Sequence, residues 1–128
     1  MRPPGSAATA FRRGKRLLQR AGVPEPELSA GYLLGAATGN GDRRLDSCSV
    51  GSSSPLSRAE RRQFMSMLRR RTAREPVQYI VESWAFRDLT LAVRPPCLIP
   101  RPETEELVDL VLADFGDKQP GVRRTWLP

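Results

Sequence analysis

A change of hydrophobic period decides the fold at residues 84–93, which read WAFRDLTLAV. Apolar side chains stand at alternate positions on both sides of the pair Arg87-Asp88. A period of two is typical of a strand, because successive side chains point to opposite faces of a sheet. The segment therefore predicts a β-hairpin over residues 82–93, although its turn lacks the glycine that tight hairpin turns prefer. Pro95 and Pro96 end the second strand.

Three helices are predicted upstream of the hairpin, from apolar residues that recur three and four positions apart. The first covers residues 10–21, the second begins near Pro26, and the third opens at Ser57. Residues 57–60 read SRAE, which fits a capping box between the serine and the glutamate. The predicted buried faces are Phe11, Leu17, Leu18 and Ala21 in the first helix, Ala30, Leu33, Leu34 and Ala37 in the second, and Phe64, Met67 and Leu68 in the third.

A fourth helix is predicted downstream of the hairpin, over residues 102–115. Pro102 suits the first helical position, where its missing N–H costs nothing. Acidic residues in the first turn favour the positive end of the helix dipole. The predicted apolar face consists of Val108, Val111, Leu112 and Phe115. Val77, Tyr79, Ile80 and Val81 form a short apolar segment whose type the period does not define.

The composition limits the kind of protein this can be. The chain has 128 residues, of which 39% are hydrophobic and 6% aromatic, so it fits one small domain with a modest core, or one domain with part of a second. It has no apolar stretch long enough to span a membrane. It has no histidine, and Cys48 and Cys97 lack CxxC spacing, so we expect no metal site, no disulfide framework and a reducing compartment.

The net charge of +7 is concentrated at the N-terminus. Residues 1–24 contain six basic residues and no acid, whereas the rest of the chain has 15 basic and 14 acidic residues. Two interpretations stay open: a transit-like leader, or the solvated face of the first helix. A nucleic-acid-binding patch is a third, with no aromatic interleaving or known module in its favour. The arginine run 69–71 likewise predicts either a solvated helix end or a polyanion contact.

The densest ionisable cluster consists of Arg101, Glu103, Glu105 and Glu106, in the segment PRPETEE at residues 100–106. Two prolines enclose Arg101, and this stiffens the backbone around a charged side chain at a helix N-terminus. By itself the cluster is a well-capped helix start. Its rigidity would also suit the edge of an active site shared with a further domain.

The segments EPVQYI at residues 75–80 and LIPRPETEELV at residues 98–108, with the WAF and LTL segments between them, resemble the HemK/PrmC family. These proteins are protein-(glutamine-N5) methyltransferases that modify the GGQ glutamine of peptide-chain release factors, in translation termination. The resemblance implies a helical bundle that binds the release factor, a β-hairpin linker, and a Rossmann-like domain that binds S-adenosylmethionine through a glycine-rich turn and carries an NPPY motif. The form of the motif is similar to the mitochondrial branch, so mitochondria are the expected location, with the cytoplasm as the alternative.

The resemblance also divides the chain into five parts. Residues 1–9 are expected to be disordered or transit-like, 10–76 to form the release-factor-binding bundle, 77–100 the hairpin linker, 101–116 the first helix of the methyltransferase domain, and 117–128 an unmatched disordered tail. The fold class is therefore a mainly α N-terminal bundle, a β-hairpin linker and the first helix of a missing Rossmann-like domain.

The family motifs for the cofactor and for catalysis are not found in this sequence. We therefore expect the chain to be truncated before the S-adenosylmethionine-binding domain, and to be inactive and bind no cofactor alone. No residue is assigned to catalysis, to the cofactor or to a metal. By resemblance, the residues at the edge of the active site are Pro100, Arg101, Pro102, Glu103, Thr104 and Glu105.

Two other functions stay open beside the enzyme fragment. One is a non-catalytic helical adaptor for a release factor or the ribosome, and the other is a basic nucleic-acid-binding module. The expected partner is the GGQ-containing domain of a release factor. No membrane contact is expected, nor nucleic-acid contact except through the ribosome-bound factor.

Overall fold

The computed structural model describes residues 5–39 and 55–115 of the chain. Within them lie four packed helices, a two-stranded hairpin and a fifth helix. The helices are α1 (Ala7–Arg20), α2 (Pro26–Ala37), α3 (Arg58–Thr72), α4 (Val77–Val81) and α5 (Pro102–Phe115), and the strands are β1 (Ser83–Phe86) and β2 (Leu89–Ala92). The predicted tail at 117–128 and the serine-rich segment before Pro55 lie outside the described residues. The mainly helical fold class with a hairpin and a C-terminal helix is confirmed.

Helix α1 begins earlier than its periodicity indicates. The Ser6 hydroxyl accepts a hydrogen bond from the Thr9 N–H at 3.3 Å, and this cap starts the helix at Ala7. The prediction that residues 7–9 are disordered is therefore wrong. Gly22, with a φ of 71°, follows the helix end as predicted.

The buried face of α1 is only partly the predicted one. Phe11 and Leu18 are buried, but Leu17 and Ala21 are exposed. The face that meets the bundle consists of Ala7, Phe11, Gly14 and Leu18. Gly14 lies on it because a Cβ at this position would stand 2.7 Å from the ring of Phe64. Helix α3 approaches α1 closely at this glycine. A buried face predicted from apolar side chains alone omits Gly14, because glycine has no side chain.

Helix α2 is the centre of the bundle and packs against α1, α3 and α4. Pro26 occupies its first turn, as predicted. The predicted residues Ala30, Leu33, Leu34 and Ala37 are all buried. Because α2 is surrounded by other helices, its Gly31 and Gly35 are buried as well.

Helix α3 has the predicted capping box. The Ser57 hydroxyl accepts from the Glu60 N–H at 3.1 Å, and the Glu60 carboxylate accepts from the Ser57 N–H at 2.9 Å. The predicted buried residues Phe64, Met67 and Leu68 form its core face.

The segment of undetermined type is the single-turn helix α4, and the hairpin follows it. Strands β1 and β2 are antiparallel, with Trp84 opposite Leu91. Arg87, at the first turn position, has a φ of 54°, the left-handed conformation that primed hairpin turns require there. The ring of Trp84 lies 4.7 Å from that of Tyr32 on α2, so the hairpin is held against the bundle.

Helix α5 is present as predicted, but none of its residues is buried. Of the predicted apolar face, Val108 and Leu112 are half-buried, while Val111 and Phe115 are 47% and 68% exposed. An ion pair of 2.6 Å joins Asp109 on α5 to Arg87 in the hairpin turn. In residues 5–39 and 55–115, no helix is long and apolar enough to cross a membrane.

Candidate functional site

The proline-framed segment, residues 100–105, connects the end of the hairpin to α5. Pro102 is the first residue of α5, and the Thr104 N–H donates to the Arg101 carbonyl at 3.1 Å. Pro100 and Glu105 are half-buried, and the exposed members are Arg101, Pro102, Glu103 and Thr104. Within the described ranges, no ion pair involves a charged side chain of this segment. These side chains are therefore open to an incoming group.

Tyr79 of α4 holds the residues that lead into this segment. Its hydroxyl donates to the Cys97 carbonyl at 2.5 Å, across 18 residues of chain. The Cys97 N–H in turn donates to the Arg94 carbonyl at 2.8 Å. The residues before the proline-framed segment are thus tied to the bundle through α4. No pattern in the sequence predicts this bond, apart from the occurrence of both segments in one family motif.

A set of arginines at the end of α3 joins the helices of the bundle. Arg70 and the Glu75 carboxylate form a two-point contact, with N–O distances of 2.8 and 2.5 Å. Arg74 donates to the Ala21 and Gly22 carbonyls at 3.0 and 3.1 Å, which satisfies the exposed end of α1. The sequence predicts that the arginine run is either a solvated helix end or a contact for a polyanion. Neither interpretation includes what the structure shows, which is that Arg70 and Arg71 bind groups within the chain.

Arg71 is the most enclosed of these arginines. Its guanidinium donates to the Glu75 carbonyl at 3.0 Å and lies 3.4 Å from the hydroxyl of the buried Ser29. Burial lowers the pKa of Arg71, with a further contribution from the positive charge of Arg74. The hydrogen bond between Arg70 and Glu75 raises the pKa of the arginine and lowers the pKa of the carboxyl. Both groups of that pair are thus held in their charged forms at neutral pH.

A groove of about 420 Å³ lies beside α4, and we call it the α4 groove. Its walls come from α2 and the residues just before it, from the end of α3, and from α4 and β1. They combine apolar, aromatic and hydrogen-bonding groups, among them Leu28, Tyr32, Arg71, Val77, Gln78 and Trp84. Such a mixture can hold a side chain or loop of another protein, because the rings provide contact area and the polar groups fix orientation.

The described residues do not fit a nucleotide-like cofactor. S-adenosylmethionine in the expected family is held by a glycine-rich turn after a parallel strand, whereas the sheet within 5–39 and 55–115 is the two-stranded antiparallel hairpin. No cluster of three or more potential metal ligands lies in those ranges either.

These features define a class of protein. It is a small helical bundle with a groove, followed by a hairpin, a stiff proline-containing segment and a helix that buries none of its residues. Residues 9–81 match the family model of the PrmC N-terminal domain. The chain therefore belongs to the PrmC N-terminal domain family.

Curated relatives agree with this assignment. The chain is 36% identical to the human MTRF1L release factor glutamine methyltransferase over 83% of its own length and 31% of the relative's. It is 41% identical to a release factor glutamine methyltransferase of Bifidobacterium longum over 71% of the chain and 31% of that protein. A relative of the same name from Leptospira interrogans is 31% identical over 90% of the chain and 39% of its own length. The chain spans about a third of the length of these relatives.

Proposed function

We propose that this chain is the release-factor-recognition region of a protein-(glutamine-N5) methyltransferase that acts on the GGQ glutamine of a peptide-chain release factor. The observation that carries the proposal is the family match over residues 9–81, together with relatives named release factor glutamine methyltransferase. The function of the whole protein would be in translation termination.

The proposal divides the structure by task. The bundle of residues 10–76 binds the GGQ-containing domain. Its contact surface is the α4 groove, which is lined in part by residues of the EPVQYI segment. Residues 77–100 link the bundle to the catalytic domain, and residues 101–116 begin that domain. The segment from Pro100 to Glu105 then forms an edge of the active site, which agrees with its stiff backbone and exposed charges.

Helix α5 supports this division. Its exposed apolar side chains are Leu107, Leu110, Val111 and Phe115. In a Rossmann-like domain the first helix packs on a sheet, and such a sheet would cover these side chains. S-adenosylmethionine would bind in that domain. We assign no catalytic step to this chain.

A binding experiment tests the proposal. Isothermal titration of the chain with the GGQ-containing domain of a release factor should give one-to-one binding, and S-adenosylmethionine should give no heat of binding. The same factor without its GGQ-containing domain is the matched control. Absence of binding to the domain would contradict the recognition role, and micromolar binding of the cofactor would contradict its assignment to another domain.

A non-catalytic adaptor is the second candidate, because the α4 groove combines rings and polar groups that can hold a side chain or loop of another protein. An adaptor should compete with a complete methyltransferase for the release factor and slow methylation in proportion to its concentration. Activation of the methyltransferase, or no effect at saturating adaptor, would rule this role out.

We also propose a mitochondrial location, because residues 1–24 are rich in arginine and free of acid. A reporter fused to residues 1–24 should enter mitochondria, and a purely cytosolic signal would contradict this. Phe11 and Leu18 belong to the core of the bundle, so a leader that is cleaved after them would remove part of the fold.

A further inference from the structure

The charge of the bundle is segregated onto two neighbouring helices. Helix α1 has five basic residues and no acid, and α3 has six basic residues and one acid. The two helices are in contact. The single acid, Glu60, is engaged in the capping box. The surface formed by α1 and α3 is therefore far more positive than the chain as a whole.

Among the residues that the structure describes, most of these cations make no ion pair. Lys15 pairs with Glu27, and Arg70 pairs with Glu75. Within residues 5–39 and 55–115, six arginines of α1 and α3 that lie near their junction make no ion pair: Arg13, Arg20, Arg58, Arg61, Arg62 and Arg69. Clustered like charges repel one another and destabilise the compact state. A bound acidic group would relieve that repulsion.

An apolar groove runs along the same surface, and we call it the α1–α3 groove. It has a volume of about 360 Å³, and its apolar lining includes Ala10, Gly14, Leu17, Phe64, Met65 and Leu68. Leu17 and Met65 are 37% and 42% exposed, although both are large and apolar. A cavity of about 150 Å³ holds a benzene-sized guest, so this groove has room for about two apolar side chains.

The arginines stand beside the groove on both helices. Arg13 and Arg61 line it directly. Arg20 is three residues from Leu17, and Arg58, Arg62 and Arg69 lie seven, three and four residues from Met65. These spacings place them on the same sides of their helices as the two exposed apolar residues. The groove therefore has an apolar floor and a basic rim.

We propose that the α1–α3 groove binds an acidic amphipathic helix of a partner protein. Such a helix would insert two apolar side chains between α1 and α3, and its carboxylates would meet the arginines on the rim. The contact is separate from the α4 groove, so it adds a second recognition surface to the bundle.

Two other polyanions suit the groove less well. Single-stranded RNA is bound through bases stacked on exposed aromatic rings, but the aromatic residues of α1 and α3, Phe11 and Phe64, are buried. An anionic membrane is flat and accepts apolar side chains that project from a surface. Here the apolar atoms line a recess, which a helix can fill and a bilayer cannot.

A second copy of this chain offers another acidic amphipathic helix. Helix α5 has acidic residues in its first turn and exposed apolar side chains. Under the proposed function, however, α5 packs against the methyltransferase domain and cannot enter the groove of a second copy. The proposal of a separate partner therefore rests on the proposed function. Sedimentation of the chain distinguishes the two sources.

A designed peptide tests the groove without reference to any release factor. The probe is a fluorescent helix of about five turns, with leucine on one face and glutamate elsewhere. Fluorescence anisotropy with the full chain should show saturable binding that weakens as salt rises. A peptide of the same composition with its leucines scattered around the helix should bind at least about tenfold more weakly.

Variants of exposed residues locate the contact. Arg13→Glu with Arg61→Glu should weaken binding at least about tenfold, because the two rim charges that line the groove directly are reversed. Arg12→Glu with Arg94→Glu makes the same change in net charge at exposed positions that do not line the groove, and should change binding less than about twofold. Leu17→Ser with Met65→Ser should weaken binding while leaving its salt dependence unchanged.

Three results would overturn the proposal. The first is equal weakening by the two charge-reversal pairs, which would make the attraction nonspecific. The second is tighter binding of a single-stranded RNA or of anionic vesicles than of the peptide, with loss in the same groove variants. The third is a concentration-dependent dimer of the chain that Arg13→Glu with Arg61→Glu abolishes, which would make a second copy the occupant.

Discussion

The bundle and helix α5 both contain helices rich in apolar side chains, but most of those in the bundle are buried and none in α5 is. Leu33 of α2 has no exposed surface, whereas Leu110 of α5 is 68% exposed. Both segments are helical, and both have local signals for a helix start. The difference shows that local signals form a helix, while burial depends on whether neighbouring elements are available to cover it.

The largest expected effect contrasts these two leucines. Leu33→Ala should lower the free energy of unfolding by about 2–5 kcal/mol, because it leaves a cavity at the centre of the bundle. Leu110→Ala makes the same chemical change on an exposed surface, and should stay within about 0.5 kcal/mol of the parent. Urea denaturation followed by circular dichroism measures both. Similar losses in the two variants would show that α5 is packed in solution.

The second effect concerns the close contact between α1 and α3. Gly14→Ala should destabilise the bundle, because the new Cβ would lie 2.7 Å from Cζ of Phe64. Overpacking of this kind costs about 1–3 kcal/mol, and the better helix propensity of alanine returns about 1 kcal/mol of it. Urea denaturation should therefore give a net loss.

A second variant tests the cause of that loss. In a chain with Phe64→Leu the ring is gone, so adding Gly14→Ala should there become neutral or stabilising. A loss of equal size in both backgrounds would mean that the contact with Phe64 is not what requires glycine at this position.

The third effect is smaller and depends on pH. Arg70 lowers the pKa of Glu75 in the folded chain. A carboxyl with a lowered pKa adds stability above its ordinary pKa, and this contribution is lost as the pH falls through the folded value. Because the pair is exposed at its edges, Glu75→Gln should cost only about 0.2–1 kcal/mol at neutral pH.

The pH dependence identifies the mechanism. The difference between the parent and Glu75→Gln should shrink as the pH falls below the ordinary carboxyl range. Glu103→Gln is the matched control, since Glu103 is on α5 and should leave the unfolding of the bundle unchanged at every pH. A constant difference for Glu75→Gln down to acidic pH would contradict an ionic origin.

Some of this fold follows from local sequence, and the rest depends on distant contacts. The capping box at Ser57 and the proline at Pro26 act within one helical turn, so the starts of α3 and α2 could be predicted. The buried face of α1 could not be predicted in full, because the role of Gly14 depends on Phe64, 50 residues away in the chain. The contact between Arg74 and Gly22 spans 52 residues and has no periodic signal.

The candidate site shows the same division. Residues 100–105 are indicated by their ionisable residues and by the two prolines around Arg101 as well as by the family motif, and the helix start at Pro102 follows from local chemistry. The bond from Tyr79 to Cys97, which fixes their approach, appears only in the folded chain. The α1–α3 groove was also missed, because Leu17 was assigned to the core. A large apolar residue outside the buried face is the signal that could have indicated a binding surface.

The smallest expected effect concerns the ion pair between Arg87 and Asp109, which connects the hairpin to α5. The two side chains are 30% and 62% exposed, so the pair should contribute at most about 1 kcal/mol. Because α5 buries no residue and a free helix of 14 residues is marginal in water, its amides should exchange faster than those of α2. Asp109→Asn should accelerate exchange in α5 by about fivefold or less and leave global unfolding unchanged.

Asp114→Asn makes the same change five residues further along α5, at a residue with no ion pair among the described residues, and should leave exchange nearly constant. Protection of α5 equal to that of α2 in a dilute monomer, insensitive to both variants, would break the contrast between the two regions. The helix would then be stabilised by a contact that this structure does not contain. Faster exchange in Asp109→Asn alone would instead show that one exposed ion pair supplies much of the order in α5, as expected for a helix with no buried residue in the described part of the chain.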